Sequence, residues 1–286
     1  RHAVAKGSSL HGAAVELSVA EPKLWSPESP FLYDMKVSLV RNGKKIDEVE
    51  SYTAMRKFSI GRDADDIVRL ELNNEPVFQF GPLDQAGGPT ALHGPLGRSA
   101  GIRRHQDQGS GLQHDPQARK GRARTLVLPL RQTRHDRMAG HAQRRPRPAV
   151  QMHNYFTGEE KHRSAESEAN FRKEWKEIID YLYSSPSIGV WVPFNECWGQ
   201  FKTQEIVEWT KAYDPSRLVN PASGGNHYLT GDILDTHHYP NPRLTLLDTN
   251  RATVLGEYGG IGFVMKGHLW NPTATGAISA STRPRR

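Results

Sequence analysis

Cysteine is almost absent from the 286 residues. The one thiol, Cys197, excludes an internal disulfide and any metal cluster built on several cysteines. No stretch approaches the roughly 18 consecutive apolar residues needed to span a bilayer, so a soluble chain with no membrane partner is expected. Neither a methionine nor an apolar leader stands at the start, Arg1. The expectation is a piece of a longer protein whose targeting signal is not in view, compatible with a periplasmic or extracellular location. A more local deficit lies in residues 86–150, which contain no Phe, Trp, Tyr, Glu or Asn. At the aromatic frequency of the remaining chain, a segment of that length would hold about seven aromatic residues.

The formal net charge is +7, which raises the question of nucleic acid. Its distribution answers it. Residues 86–150 carry 13 Lys/Arg against 3 Asp/Glu, while all other residues together are net negative by 3. The basicity therefore belongs to one segment rich in Arg, Pro, Gly, Ala, His and Gln. That segment has neither helical nor strand periodicity. It reads as a disordered basic linker or as a stretch translated out of frame.

Residues 12–80 carry strand signals. Val15–Val19 and Tyr33–Leu39 alternate apolar and polar residues, and Arg41-Asn-Gly-Lys44 is a hairpin turn. Ile67–Leu72 and Pro76–Phe80 supply further strands around Asn73-Asn74. Several short strands at this spacing predict a β-sandwich, with an isolated meander as the alternative. From Gly158 the pattern changes. Phe171, Trp175, Ile178, Ile179 and Leu182 form one apolar face of a helix over 160–183. Ser187–Phe194 is an apolar run of buried-strand type. A second helix follows at Thr203–Tyr213, stopped by Asp214-Pro215. Short strands are predicted at 217–220, 233–237 and 252–256. This order implies parallel βα units, and without a glycine-rich phosphate loop a barrel fits better than an open sheet.

Catalytic groups of such barrels sit at the carboxyl ends of the strands. Glu196 and Glu257 both occupy such places, each closing an apolar run. Glycosidic hydrolysis needs one carboxylic acid to protonate the leaving oxygen, and a second carboxylate to attack carbon or activate water. Solvated loop glutamates would give the same spacing, so position alone leaves both readings open. His237 and His238 raise metal binding, but no partner ligands stand at a familiar spacing, and no metal or cofactor is expected. Cys197 lacks a Cys-His arrangement and reads as a packed neighbour of Glu196.

Two longer motifs decide between these readings. Phe194-Asn-Glu-Cys-Trp198 and Leu255-Gly-Glu-Tyr-Gly-Gly260 resemble the two catalytic strand ends of glycoside hydrolase family 2, which includes β-galactosidases, β-glucuronidases and β-mannosidases. Leu24-Trp-Ser-Pro-Glu-Ser-Pro-Phe-Leu-Tyr33 resembles the signature of that family's immunoglobulin-like domain. Leu72-Asn-Asn-Glu-Pro-Val-Phe-Gln-Phe-Gly81 resembles its passage into the first barrel strand. The resemblance spans roughly 12–85 and 151–272.

It implies a multi-domain β plus α/β chain: an immunoglobulin-like β-sandwich at 12–70, then an incomplete (β/α)8 TIM barrel at 71–272. It implies a retaining glycosidase acting on β-linked oligosaccharides or glycosides by double displacement, with Glu196 as acid/base and Glu257 as nucleophile. Asn195 would bond the sugar 2-hydroxyl, His238 or Tyr239 and Trp198 would line the sugar site, and Tyr239 would reach the nucleophile. The family's strands two, three and eight, and its arginine after strand two, are not readable here, so turnover by this chain itself is not implied. Two readings from other classes stand beside it. One is a carbohydrate-binding remnant using Asn195, Trp191, Trp198 and Tyr239 without cleavage. The other is a nucleic-acid binder acting through 86–150.

Synonymous codons for Gly109–Gln117, read one base later, give Asp-Leu-Gly-Phe-Asn-Met-Ile-Arg, resembling the family's second barrel strand. The same offset applied to Leu126–Gln143 resembles the approach to its third strand, and 273–286 behaves similarly. Residues 86–150 and 273–286 are therefore expected to be out of frame. Sequencing the gene should show compensating insertions or deletions near codons 85 and 150; an uninterrupted frame there would overturn the expectation.

Overall fold

The computed structural model describes residues 3–81, 160–195, 199–263 and 279–281, with only the backbone described from Ile261 onward. The basic segment 86–150, the tail 282–286 and the strand-end residues Glu196, Cys197 and Trp198 lie outside the described residues. The chain forms two compact units, 1–56 and 57–286.

The first unit is an antiparallel hairpin of β1 (Tyr33–Arg41) and β2 (Lys44–Thr53). Its two-residue turn is Asn42-Gly43, both at positive φ (50° and 72°), the handedness that matches strand twist. The backbone N–H of Trp25 bonds to the Met55 carbonyl at 2.8 Å, and the indole is fully buried. Val15–Val19, expected as a strand, joins no ladder. Val15 and Leu17 stand exposed, so local alternation had no partner to pair with. Among the described residues there is one hairpin here and no second sheet facing it.

In the second unit, β3 (Phe58–Arg62), β4 (Val68–Leu72) and β5 (Glu75–Pro76) form an antiparallel meander. Asn73 and Asn74 both take positive φ in its turn. Asparagine tolerates that region because its short polar side chain bonds locally, and the Asn73 amide oxygen accepts the Lys57 N–H at 3.0 Å. The strand expected over 76–80 is cut short: the Val77 N–H still bonds to the Leu70 carbonyl at 2.9 Å, but the residues after it join no ladder and Phe78 is exposed.

Helix α1 (Ala165–Leu182) starts at Ser164, whose hydroxyl accepts the Ser167 N–H. Its apolar face meets β6 (Val190–Trp191), α2 (Thr203–Tyr213) and β7 (Leu218–Val219). The rings of Trp175 and Trp191 meet edge to face at 6.0 Å, and the Trp175 indole N–H reaches Thr210 Oγ1 at 2.9 Å. A second cluster joins Phe194, Phe201, Ile206 and Ala222 below Phe171. Strand β6 runs parallel to β7, and β8 (Ile233–His238) runs parallel to β9 (Ala252–Tyr258). Backbone bonds from Asp232 N to Val219 O and from Gly224 N to Asp235 O tie β7 to β8.

The result is an arc of four successive parallel strands in chain order, with their carboxyl ends on one side. The expected regular alternation holds only in the first half. No helix occurs at 220–232 or 239–251, where Pro221, Gly224, Gly225, Gly231, Pro240 and Pro242 remove donors and favour turns. Short β10 (Ile261–Phe263) and β11 (Ser279–Ser281) pair in parallel beyond it.

One buried ion pair locks the base of this core. Asp214 accepts the Trp191 indole N–H at 2.8 Å and Arg217 Nη1 at 2.7 Å, and Arg217 also donates to the carbonyls of Tyr183, Ser185 and Ile188. Burial alone would push the Asp214 carboxyl up, but the Ser216 hydroxyl, the indole and the guanidinium together hold it below its ordinary value. Because this pKa is depressed, its stabilisation is present above the unfolded carboxylate range and is lost as pH falls through the folded value. Asp214→Ala leaves the arginine buried without its partner and should cost about 3 to 5 kcal/mol in urea unfolding. Lys176→Ala, at the exposed pair with Asp180, should cost far less because solvent screens the pair, and equal losses in the two variants would contradict this assignment.

Candidate active site

Residues at i, i+2 and i+4 of a strand share a face, so Asp235 and His237 of β8 point the same way, and Tyr239 follows them. Strand β9 lies beside β8 with a one-residue irregularity. Asp235 pairs with Val254 and Thr236 with Leu255, but His237 pairs with Glu257. Gly256 is the inserted residue. It shifts the alternation so that the Glu257 side chain, not that of position 256, stands beside His237.

The carboxylate of Glu257 is buried, with 6% of the side chain exposed. The Tyr239 hydroxyl donates to its Oε2, and His237 Nδ1 lies 3.6 Å from the same oxygen. His237 Nε2 is 2.8 Å from Ser223 Oγ, which donates to Asp235 Oδ2 at 2.7 Å. A hydroxyl has one hydrogen. With it given to Asp235, the Ser223 oxygen is left to accept from His237 Nε2–H.

The Asp235 carboxylate also takes Asn220 Nδ2 and the Gly256 N–H, each at 2.7 Å. Burial pushes this carboxyl above its ordinary value, opposed by the nearby His237 and by the donors Ser223, Asn220 and Gly256. The first strand of the arc enters through Asn195, which bridges to Ser223 just past Phe194, so the backbone N–H of Ser223 bonds to Phe194 O at 3.0 Å. The site therefore gathers at the carboxyl ends of β6 through β9. Such a cluster, a buried carboxylate held by a phenol and an imidazole, can present a fixed nucleophile or base to a ligand above the strand ends.

Of the residues chosen from sequence, Glu257 and Tyr239 are brought together, and Asn195 sits at the neighbouring strand end. Glu196 and Trp198 lie outside the described residues. His238 turns away from this cluster and its Nδ1 meets the Asn241 carbonyl at 2.7 Å, while His237 takes the place beside Glu257. Trp191, offered as a sugar-stacking residue, is 1% exposed and packed in the core against Trp175, since residues 190 and 191 belong to the strand interior. Asp235, Ser223 and Asn220 were not singled out. A strict period-two reading of Asp235-Thr-His-His-Tyr239 selects Asp235, His237 and Tyr239 and excludes His238. Ser223 and Asn220 come from a loop and strand end with no such signal. Among the described residues, no group of three or more His, Cys, Asp or Glu is arranged to hold a metal ion. No helix among them is long and apolar enough to cross a membrane.

Residues 2–56 match the family model described as glycosyl hydrolases family 2. A beta-galactosidase of Leuconostoc mesenteroides subsp. mesenteroides is 26% identical over 235 residues, which are 80% of this chain and 21% of that protein. A beta-galactosidase of Alteromonas mediterranea is 22% identical over 277 residues, covering 85% of this chain and 24% of that protein. The chain thus spans about a fifth to a quarter of the length of these curated relatives. Among solved structures, a beta-glucuronidase from Facaelibacterium prausnitzii L2-6 superposes with a TM-score of 0.51 at 17% identity, over 84% of this chain and 33% of that one. That likeness is one of fold. The resemblance to glycoside hydrolase family 2 read from the strand-end motifs is borne out by these matches.

Gly224 packs against the imidazole. A Cβ there would lie 2.4 Å from the His237 ring, and its φ of +63° is one that side chains rarely adopt. Gly224→Ala should therefore cost roughly 1 to 3 kcal/mol in urea unfolding. It should also move the imidazole resonances of His237 in an NMR spectrum. A variant with wild-type stability and unmoved His237 signals would contradict the packing described.

Proposed function

We propose that the chain carries the catalytic pair of a retaining β-glycosidase, with Glu257 as nucleophile and Glu196 as acid/base. The observation that carries the proposal is the buried Glu257 carboxylate at the carboxyl end of a parallel strand, hydrogen-bonded by Tyr239 and flanked by His237. Burial strips water from a carboxylate and leaves its oxygens held by directed hydrogen bonds, which suits it to attack carbon. Glu196 directly follows Asn195, which ends the first strand of the same arc. The matches to family 2 glycosyl hydrolases and to beta-galactosidases support this assignment. The first unit is then part of an immunoglobulin-like sandwich domain, and the four-strand arc part of a (β/α)8 barrel.

In the reaction, Glu257 attacks the anomeric carbon as the protonated Glu196 gives its proton to the departing glycosidic oxygen. The glycosyl-enzyme ester is then cleaved by water, which loses a proton to Glu196. Two inversions return the starting configuration. This requires carboxyl groups about 5 to 5.5 Å apart. Tyr239 holds one Glu257 oxygen through its hydroxyl and so fixes the direction in which the carboxylate faces. Asn195, next to Glu196, is placed to hydrogen-bond the sugar, and the substrate class is a β-linked glycoside. The relatives point to β-galactosides and β-glucuronides as the first substrates to offer.

Proton NMR of aryl β-galactoside or β-glucuronide hydrolysis should show the β-anomer as first product. Glu257→Gln should lower kcat by on the order of 10⁴-fold with every leaving group. Glu196→Gln should slow glycosylation strongly for alkyl or 4-nitrophenyl leaving groups but far less for 2,4-dinitrophenyl, which departs without a proton. First release of the α-anomer, or full activity in Glu257→Gln, would refute the assignment.

A further inference from the structure

Strand β9 carries one residue more than β8 between Leu255 and Glu257, and something must hold that extra residue in place. An inserted residue leaves the ladder without a partner for its own N–H, and an orphaned buried N–H is costly. Bulges of this kind are rare in parallel pairs. Here the Gly256 N–H points at the Asp235 carboxylate, 2.7 Å from Oδ1. The carboxylate comes so close that a Cβ on residue 256 would lie 2.3 Å from either of its oxygens, so only glycine fits. The other oxygen of Asp235 is held by Asn220 Nδ2 and Ser223 Oγ from the neighbouring strand end. Asp235 is buried, with 4% of its side chain exposed, and its Oδ1 lies 4.0 Å from His237 Nε2. The same Ser223 oxygen carries the link onward to His237 and so to Glu257.

We propose that Asp235 is the positioning residue of this site. Its carboxylate pins the Gly256 bulge and thereby turns Glu257 to stand beside His237 and Tyr239. This rests on the reading of Glu257 as nucleophile. Without the bulge, ordinary alternation would set position 256 opposite His237 and send the Glu257 carboxylate to the other face of the arc. The device works through the backbone, because the acceptor oxygen contacts the residue before the nucleophile rather than the nucleophile itself. An amide at position 235 keeps one oxygen to accept the Gly256 N–H, whereas alanine leaves that N–H without its acceptor.

The test compares Asp235→Ala and Asp235→Asn with wild type, using 4-nitrophenyl β-galactoside and β-glucuronide and amide exchange of Gly256 followed by NMR. Misaiming the carboxylate by about 1 Å should lower kcat in Asp235→Ala by about 100-fold. Its KM should stay within about threefold of wild type, because the lost interaction acts on attack and not on uniform sugar binding. Gly256 exchange should accelerate at least about 100-fold in the alanine variant and stay near wild type in the asparagine variant. Asp235→Asn should retain kcat within about tenfold.

Equal kcat losses in the two variants, tracking only their melting temperatures, would overturn the proposal, as would wild-type exchange at Gly256 in Asp235→Ala. Should that variant not fold, Gly256→Ala replaces it. The added methyl pushes the carboxylate off the bulge and should reproduce the kcat loss with KM unchanged; wild-type kcat there overturns the proposal equally. A wild-type chain inert toward both glycosides counts against turnover by this chain, not against the bulge. The exchange comparison at Gly256 then still decides the bulge, upheld by fast exchange in Asp235→Ala with protection in Asp235→Asn.

Discussion

Strand alternation is a rigid rule, and one extra residue is enough to reverse which side chains face inward along the remainder of a strand. In this chain that reversal falls at Gly256, one position before Glu257, and the buried carboxylate of Asp235 accepts the N–H that the insertion exposes. Everything assembled around Glu257 depends on it. The phenol of Tyr239 and the imidazole of His237 can meet the glutamate only on the face to which the bulge delivers it. Asn220 and Ser223 then supply the donors that let a buried carboxylate exist at all, and they do so from the next strand end in the arc. A single network therefore joins the ends of β7, β8 and β9, with Asn195 of the β6 end bridged to Ser223 beside it.

The core beneath this network has a different construction. Trp175, Ile179, Leu182, Ile188, Trp191, Val207 and Val219 are apolar and nearly dry, and burying each large side chain contributes roughly 1.5 to 3 kcal/mol. The buried pair of Asp214 with Arg217 faces the amino ends of β6 and β7 and closes the loop that leaves α1. The arc thus has a stabilising end and a reactive end, the division expected when strands run parallel. The polar cost of the reactive end is met by hydrogen bonds, and the packing below supplies the rigidity that keeps those bonds aligned.

Much of this was legible in the residues. The apolar face of α1 was read from its spacing, α2 from its limits at Thr203 and Asp214, and the turns at Asn42-Gly43 and Asn73-Asn74 from their chemistry. These are local signals, decided by neighbours three or four positions away. Glu257 with Tyr239 was legible for another reason, as a resemblance between short strand-end motifs and a known family. What escaped had long-range causes. Val15–Val19 alternates correctly yet finds no ladder, because pairing depends on a partner that local sequence does not encode. The implied alternation of strand and helix breaks down after β7 and β8, where prolines and glycines fill the connections. His238 was preferred over His237 because the bulge and the face of β8 were not yet known. Asp235 was passed over because its role is to hold a backbone N–H, and nothing in a sequence marks which N–H will lack a partner.

The central claim is that Glu257 is the nucleophile, and a covalent trap tests it most directly. Incubation with 2,4-dinitrophenyl 2-deoxy-2-fluoro-β-galactoside or the corresponding β-glucuronide should add one fluorosugar to the chain, and peptide mass spectrometry should find it on the Glu257 side chain. Attachment to any other residue, or none with either reagent under conditions where the chain hydrolyses the parent glycoside, would contradict the account.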